Sequence, residues 1–283
     1  MRATLLAFVL WASVVQLAAQ QTGDAHPTVT SILERMKSPD PAERVKAFDD
    51  ADQLLASGKS TPDNIDRLKV GIIELLIAEN ARTNLPDEEL LKQTATTTDC
   101  GNGTDNCEGG EEGESESEYY PSLIATVAGF NDERAIPALV GAMPYASDAT
   151  GALLGFGDKA VGPILDQLKS RNALLRTSAL SMAISMGAQN KSVSPPRIRE
   201  MLRSALTDPV AVVRSHAVNE IACLDDRQDF VPILEKLAKT DPVHRKGRAD
   251  DGVDGDQFYP VRFDARRALR EIQNNQPCSL RRH

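Results

Sequence analysis

Across residues 122–273 apolar side chains recur every three or four positions, the spacing that gathers them on one side of an α-helix. Three stretches share a pattern, an early proline followed by apolar residues at that spacing: residues 134–143, 159–168 and 229–237. Proline suits a first helical turn, where its missing N–H has no partner to lose. Ile198, Leu202 and Leu206 mark a similar helix without a proline at that place. A second pattern, apolar-Arg-x-x-Ala-x-x-x-apolar, follows each of these. It is carried by Leu175, Arg176, Ala179 and Ala183, by Val213, Arg214, Ala217 and Ile221, and by Val261, Arg262, Ala265 and Leu269. Arg44, Ala47 and Ala51 form a weaker copy. The spacing draws one apolar stripe down each helix, and alanine in its middle lets neighbouring helices approach.

Ser38-Pro39-Asp40-Pro41, Asp208-Pro209 and Asp241-Pro242 separate the two patterns and turn the chain. Two connectors also match, Gly129-Phe130-Asn131-Asp132 and Gly155-Phe156-Gly157-Asp158. The repeating unit is therefore a helix–turn–helix pair. Ile65, Leu68, Ile72 and Leu76 add a strong helix upstream. One pair alone has too little surface to bury, and stacked pairs complete a core. About six pairs fit the chain, which predicts an all-α fold, an α-solenoid with two loop insertions.

These motifs resemble HEAT repeats, in particular the short, Ala-rich kind found in phycobilisome lyases. The resemblance covers residues 29–56 weakly and 122–273 well. It implies that a turn Asp pairs with the Arg opening each second helix, a place held here by Arg44, Arg176, Arg214 and Arg262. The Asp six residues earlier is present as Asp208 before Arg214. Ser38 and Ser170 replace it before Arg44 and Arg176, which breaks the pattern there. The unequal spacing of the repeats predicts a bent superhelix.

Both insertions fall between the two helices of a pair, and in a solenoid such turns line one edge. The first, residues 83–120, opens with Leu85-Pro86-Asp87-Glu88-Glu89, a helix start. It then becomes polar, with six Glu between 108 and 118 and no apolar partner, so it should lack a core and be largely disordered. The second, residues 244–259, holds a basic cluster from His244 to Arg248 and then Asp250, Asp251, Asp254 and Asp256 among glycines. Asp250, Asp254 and Asp256 are candidate Ca²⁺ ligands, since a hard cation gathers six or more oxygens around a tight turn. The spacing is compressed and no Glu closes the loop, so a solvated polar loop is the stronger reading and no cofactor is expected.

Formal net charge is −9 over 283 residues. Residues 99–118 alone carry −8, which leaves the remainder nearly neutral. Without a basic face a nucleic-acid partner is excluded. Aromatics make up only 4%, so the core must be Ala, Leu, Ile and Val.

Met1-Arg2, an apolar run from Ala3 to Val15, and Leu17-Ala18-Ala19 have the layout of a cleaved signal peptide, residues 1–19. Thirteen apolar residues fall short of the roughly 20 that span a bilayer. The expectation is a secreted or periplasmic protein without stable membrane insertion, its helical repeats spanning 27–82 and 121–273, with a tail at 274–283. Four cysteines in an exported chain favour disulfides, with Cys100–Cys107 and Cys223–Cys278 as the candidate pairs. Asn102 and Asn190 head glycosylation acceptor motifs.

Catalytic signatures are missing. None of His26, His216, His244 and His283 is followed by Glu, unlike the His-Glu pairs of the iron-binding HEAT-repeat hydroxylases. Gly151, Gly155 and Gly157 follow no strand; they read as close helix contact and a helix stop. The functional expectation is a non-enzymatic scaffold that binds a protein partner. The alternative is an enzyme or accessory subunit, lyase-like or cofactor-handling, with a site scattered over repeats.

Overall fold

A computed structural model describes residues 28–58, 60–88, 113–246 and 257–275. The signal peptide, Cys100 and Cys107, Asp250, Asp254 and Asp256, and Cys278 lie outside the described residues. The chain forms two compact units, one up to Leu68 and one from Lys69 onward.

In the first unit, α1 (Val29–Met36) and α2 (Pro41–Ala56) pack as a hairpin. Thr28 and Asp40 cap their N-termini, accepting from the N–H groups of Ser31 and Ala42, and Pro41 occupies a first turn as expected. Val29, Ile32 and Met36 are buried, as are Ala47, Phe48 and Ala51. Helix α3 (Pro62–Thr83) begins in this unit and continues into the second.

The second unit adds α4 (Gly113–Gly129), α5 (Ile136–Ala142), α6 (Ser147–Phe156), α7 (Asp158–Asp166), α8 (Ala173–Gln189), α9 (Pro195–Ala205), α10 (Ala211–Ala222), α11 (Val231–Thr240) and α12 (Pro260–Gln273). Among its described residues the regular structure is helical apart from one ribbon of two two-residue strands. Helices α6, α8, α10 and α12 each pack on the next of that series, and α5, α7, α9 and α11 each pack on the helix that follows them in sequence. The central alanines Ala179, Ala183, Ala217 and Ala265 are fully buried. On α12 the stripe runs through Val261, Ala265, Ala268 and Ile272, while Leu269 is half-buried.

Three local expectations need correction. Helix α4 starts at Gly113, inside the Glu-rich run expected to be disordered. Pro163 lies inside α7, because Gly157 at φ +57° ends α6 and lets the next helix start at Asp158. A Cβ at Gly151 or Gly155 would meet nothing, so these glycines face open space rather than a close helix contact.

The close approach is at Gly141, where a Cβ would stand 2.5 Å from Asn80 Nδ2. Asn80 is buried, donates to the Ala138 carbonyl (2.7 Å) and accepts from the Tyr120 hydroxyl (2.6 Å). Asn84 donates to the Gly141 carbonyl and accepts from Tyr145. Gly141→Ala should therefore cost about 1–3 kcal/mol, seen as a lower urea midpoint; wild-type stability would refute this close approach.

Burial holds the phenols of Tyr120 and Tyr145 above their ordinary pKa, and the neighbouring Tyr145 adds to the effect on Tyr120. The folded chain thus keeps these protons at a pH where the unfolded chain releases them. Stability should be level below pH about 10 and fall above it. Replacing both by Phe should flatten that alkaline decline, and an unchanged slope would count against the assignment.

Candidate functional site

Within the second unit Arg176, Arg214 and Arg262 build a polar edge. Arg44 in the first unit, and Arg176 and Arg214 in the second, each send Nη1 back to the carbonyl six residues earlier: Arg44 to Ser38 (2.9 Å), Arg176 to Ser170 (2.8 Å) and Arg214 to Asp208 (2.7 Å). This bond uses only the backbone oxygen, so Ser and Asp serve it equally. The carboxylate partner comes instead from the following turn. Arg176 makes a two-pronged pair with Asp208, both contacts 2.9 Å, and Arg214 does so with Asp241 at 2.7 and 2.9 Å. The expected break at Ser170 therefore does not interrupt the ladder in the second unit.

Arg176 also holds Asp87, at 2.9 Å. Its surroundings desolvate the charge, yet the hydrogen bonds it donates to Asp208 and Asp87 outweigh that and keep the guanidinium pKa above its ordinary value. Asp87 further accepts the Ala173 N–H at the start of α8 (2.5 Å), its own N–H donates to the Arg171 carbonyl, and Asn172 donates to the Leu85 carbonyl. At the other end Asp241 is 3% exposed, and its carbonyl accepts from Arg262. The network thus runs Asp87, Arg176, Asp208, Arg214, Asp241, Arg262.

Asp87 stands at the root of the first insertion and Asp241 at the root of the second. The second insertion rises from a ribbon in which β1 (Arg245–Lys246) pairs antiparallel with β2 (Gln257–Phe258). Arg245 lies over the Phe258 ring, Phe258 meets Phe263, and Arg262 lies 4.0 Å over Tyr259. His244 packs beside Tyr259.

Away from that edge, His216 forms a cluster that its sequence position did not announce. The Ser181 hydroxyl lies 2.7 Å from His216 Nε2 and donates to Glu220 Oε1 (2.6 Å). His216 Nε2 is also 3.3 Å from Glu220. Among the described residues no three His, Cys, Asp or Glu side chains are grouped to hold a metal ion. No described helix is long and apolar enough to cross a membrane.

Of the residues marked in the sequence, Arg176, Arg214, Arg262 and Asp208 meet in the network. Asp87 was legible only as part of a helix start, because its partners lie 84 and more residues away.

No family model matches the chain and no curated protein matches it. Among solved structures, a crystal structure of an engineered protein from the Northeast Structural Genomics Consortium is similar at 16% identity. The match covers 88% of this chain and 98% of that one, with a TM-score of 0.33.

Proposed function

We propose that this protein is an exported HEAT-like α-solenoid that binds another protein without catalysing a reaction, and that the edge bearing both insertions is the surface it presents. The observation behind this reading is the network that ties Asp87 to Asp241, since it sets the roots of both insertions on one line of turns. The test is a quantitative pull-down from native extract with the full chain and with chains lacking residues 99–118 or 247–256. Binding that falls at least roughly tenfold, about 1.4 kcal/mol, on either deletion supports the edge. If both deletions leave every partner bound as before, the reading fails.

A second reading, an enzyme or cofactor-handling accessory subunit, has the Ser181 cluster in its favour. Against it, the carboxylate meets the same ring nitrogen as the hydroxyl, whereas a proton relay places it on the far nitrogen, Nδ1. Labelling of Ser181 by a fluorophosphonate probe, or a stoichiometric transition metal in the purified protein, would favour this reading over the scaffold.

A further inference from the structure

Helix α12 carries four arginines against two acids. The acids are taken up elsewhere: Asp264 pairs with Arg267 and accepts from Ser215 of α10, and Glu271 is buried. Phe263, Arg266 and Arg270 stand at i, i+3 and i+7, which sets them on one stripe of the helix. All three are exposed, Phe263 by 44%. Among the described residues neither Arg266 nor Arg270 has a carboxylate partner or another side-chain bond.

The ribbon at the root of the second insertion continues this stripe. Phe258 of β2 lies against Phe263, ring centroids 5.4 Å apart, and the exposed Arg245 of β1 lies 4.8 Å over the Phe258 ring. Arg262 lies over Tyr259 and donates to the Asp241 carbonyl, which joins the ribbon to the arginine network. Two aromatic rings thus stand among exposed guanidinium groups, on a chain whose formal charge is −9. Arginine and aromatic side chains are the ones enriched at the centres of protein interfaces.

We propose that this face, formed by Arg245, Phe258, Phe263, Arg266 and Arg270, binds an acidic segment of a partner protein that carries an apolar residue among its carboxylates. The inference names the chemistry of the partner and rests on the scaffold reading, since the patch stands at the root of the second insertion. The apolar residue packs on Phe258 and Phe263. The carboxylates meet Arg266 and Arg270 in the two-pronged geometry that Arg214 makes with Asp241. A nucleic acid fits less well, because three exposed guanidinium groups on an acidic chain offer few phosphate contacts and release few counterions. An anionic membrane is drawn to clusters of about four to eight Lys or Arg, more than the exposed guanidinium groups of this face.

Fluorescence anisotropy tests this with the full chain and a labelled peptide of Asp and Glu around one Phe, at low salt. Arg266→Glu/Arg270→Glu should weaken the peptide at least about tenfold, and the Asn/Gln version of the peptide should bind the wild type no better than that. Phe263→Ala keeps every charge and should weaken the acidic peptide about threefold, a readout that survives if the arginine variant is unstable. No binding to the wild type overturns the proposal, as does equal affinity of the wild type and the arginine variant. Tighter binding to phosphatidylserine vesicles or to oligo(dT) than to the peptide overturns it too. The pull-down from native extract separates this inference from the reading beneath it. Partners lost on deleting residues 99–118 or 247–256 but kept by Arg266→Glu/Arg270→Glu leave the scaffold standing and overturn the patch. Partners kept by both deletions overturn the scaffold, whatever the peptide does.

Discussion

Arg214→Ala is expected to lower the stability of the unit from Lys69 onward by about 3–5 kcal/mol, the cost of breaking a buried ion pair from one side. The side chains of Arg214 and Asp241 are only 9% and 2% exposed. Among the described residues, truncation would leave the Asp241 carboxylate in that environment with the Val243 N–H as its remaining donor. It would also leave the Asp208 and Pro209 carbonyls, both of which accept from Nη1, without that donor. Arg214→Lys keeps the charge but cannot form the two-pronged contact, so it should fall between Ala and wild type. Asp241→Asn combined with Arg214→Met should lose less than the two single changes added together, because neither then strands a charge. Urea unfolding followed by circular dichroism reads the effect, with the slope checked so that a change in cooperativity is not taken for one in stability. A loss below 1 kcal/mol would show that the pair is not held away from water.

The distinction between partner and position explains what the sequence could and could not reveal here. The stripe Val213, Ala217, Ile221 announces α10 because helical period and burial are both local properties of twelve residues. Likewise Gly157 announces a stop, since a positive φ is cheapest at glycine. The place of Arg214 at the head of its helix was equally plain. Its carboxylate was not, because Asp241 lies 27 residues on and belongs to the next turn. Ser170 looked like a gap only while the residue six positions earlier was taken as a side-chain partner; the geometry uses its carbonyl. The start of α4 was obscured for a different reason. Alternating Glu and Ser carry no apolar stripe, so period gave no signal. The Ser181, His216 and Glu220 cluster spans two helices, and only the His216–Glu220 spacing of four was visible in sequence.

Arg176→Ala should have the second large effect, and a different one. This guanidinium serves two carboxylates, Asp87 at 2.9 Å and Asp208 at 2.9 Å, with side chains 20% and 12% exposed. Its removal brings two like charges to one place with no cation between them, so a loss of about 3–5 kcal/mol is expected again. The consequence reaches further along the chain. Asp87 is held by Arg176, by the Ala173 N–H and through its own N–H to the Arg171 carbonyl. Weakening the first of these should loosen residues 84–88, the root of the first insertion, before the helices unfold. The comparison that isolates this is Asp87→Ala, which leaves the pair between Arg176 and Asp208 intact. Its global cost should be smaller, about 1–3 kcal/mol for the lost charged hydrogen bonds. Amide exchange at residues 84–88 should nonetheless rise about 10- to 100-fold, since each 1.4 kcal/mol of local opening is a factor of ten. In Asp208→Ala, by contrast, Asp87 keeps its hold on Arg176, and the root should stay protected while the turn before α10 loosens through the lost Val210 N–H bond. Were the three variants to give the same exchange pattern, residues 84–88 would not be held through Asp87 in particular, and its place as the anchor of the first insertion would fail.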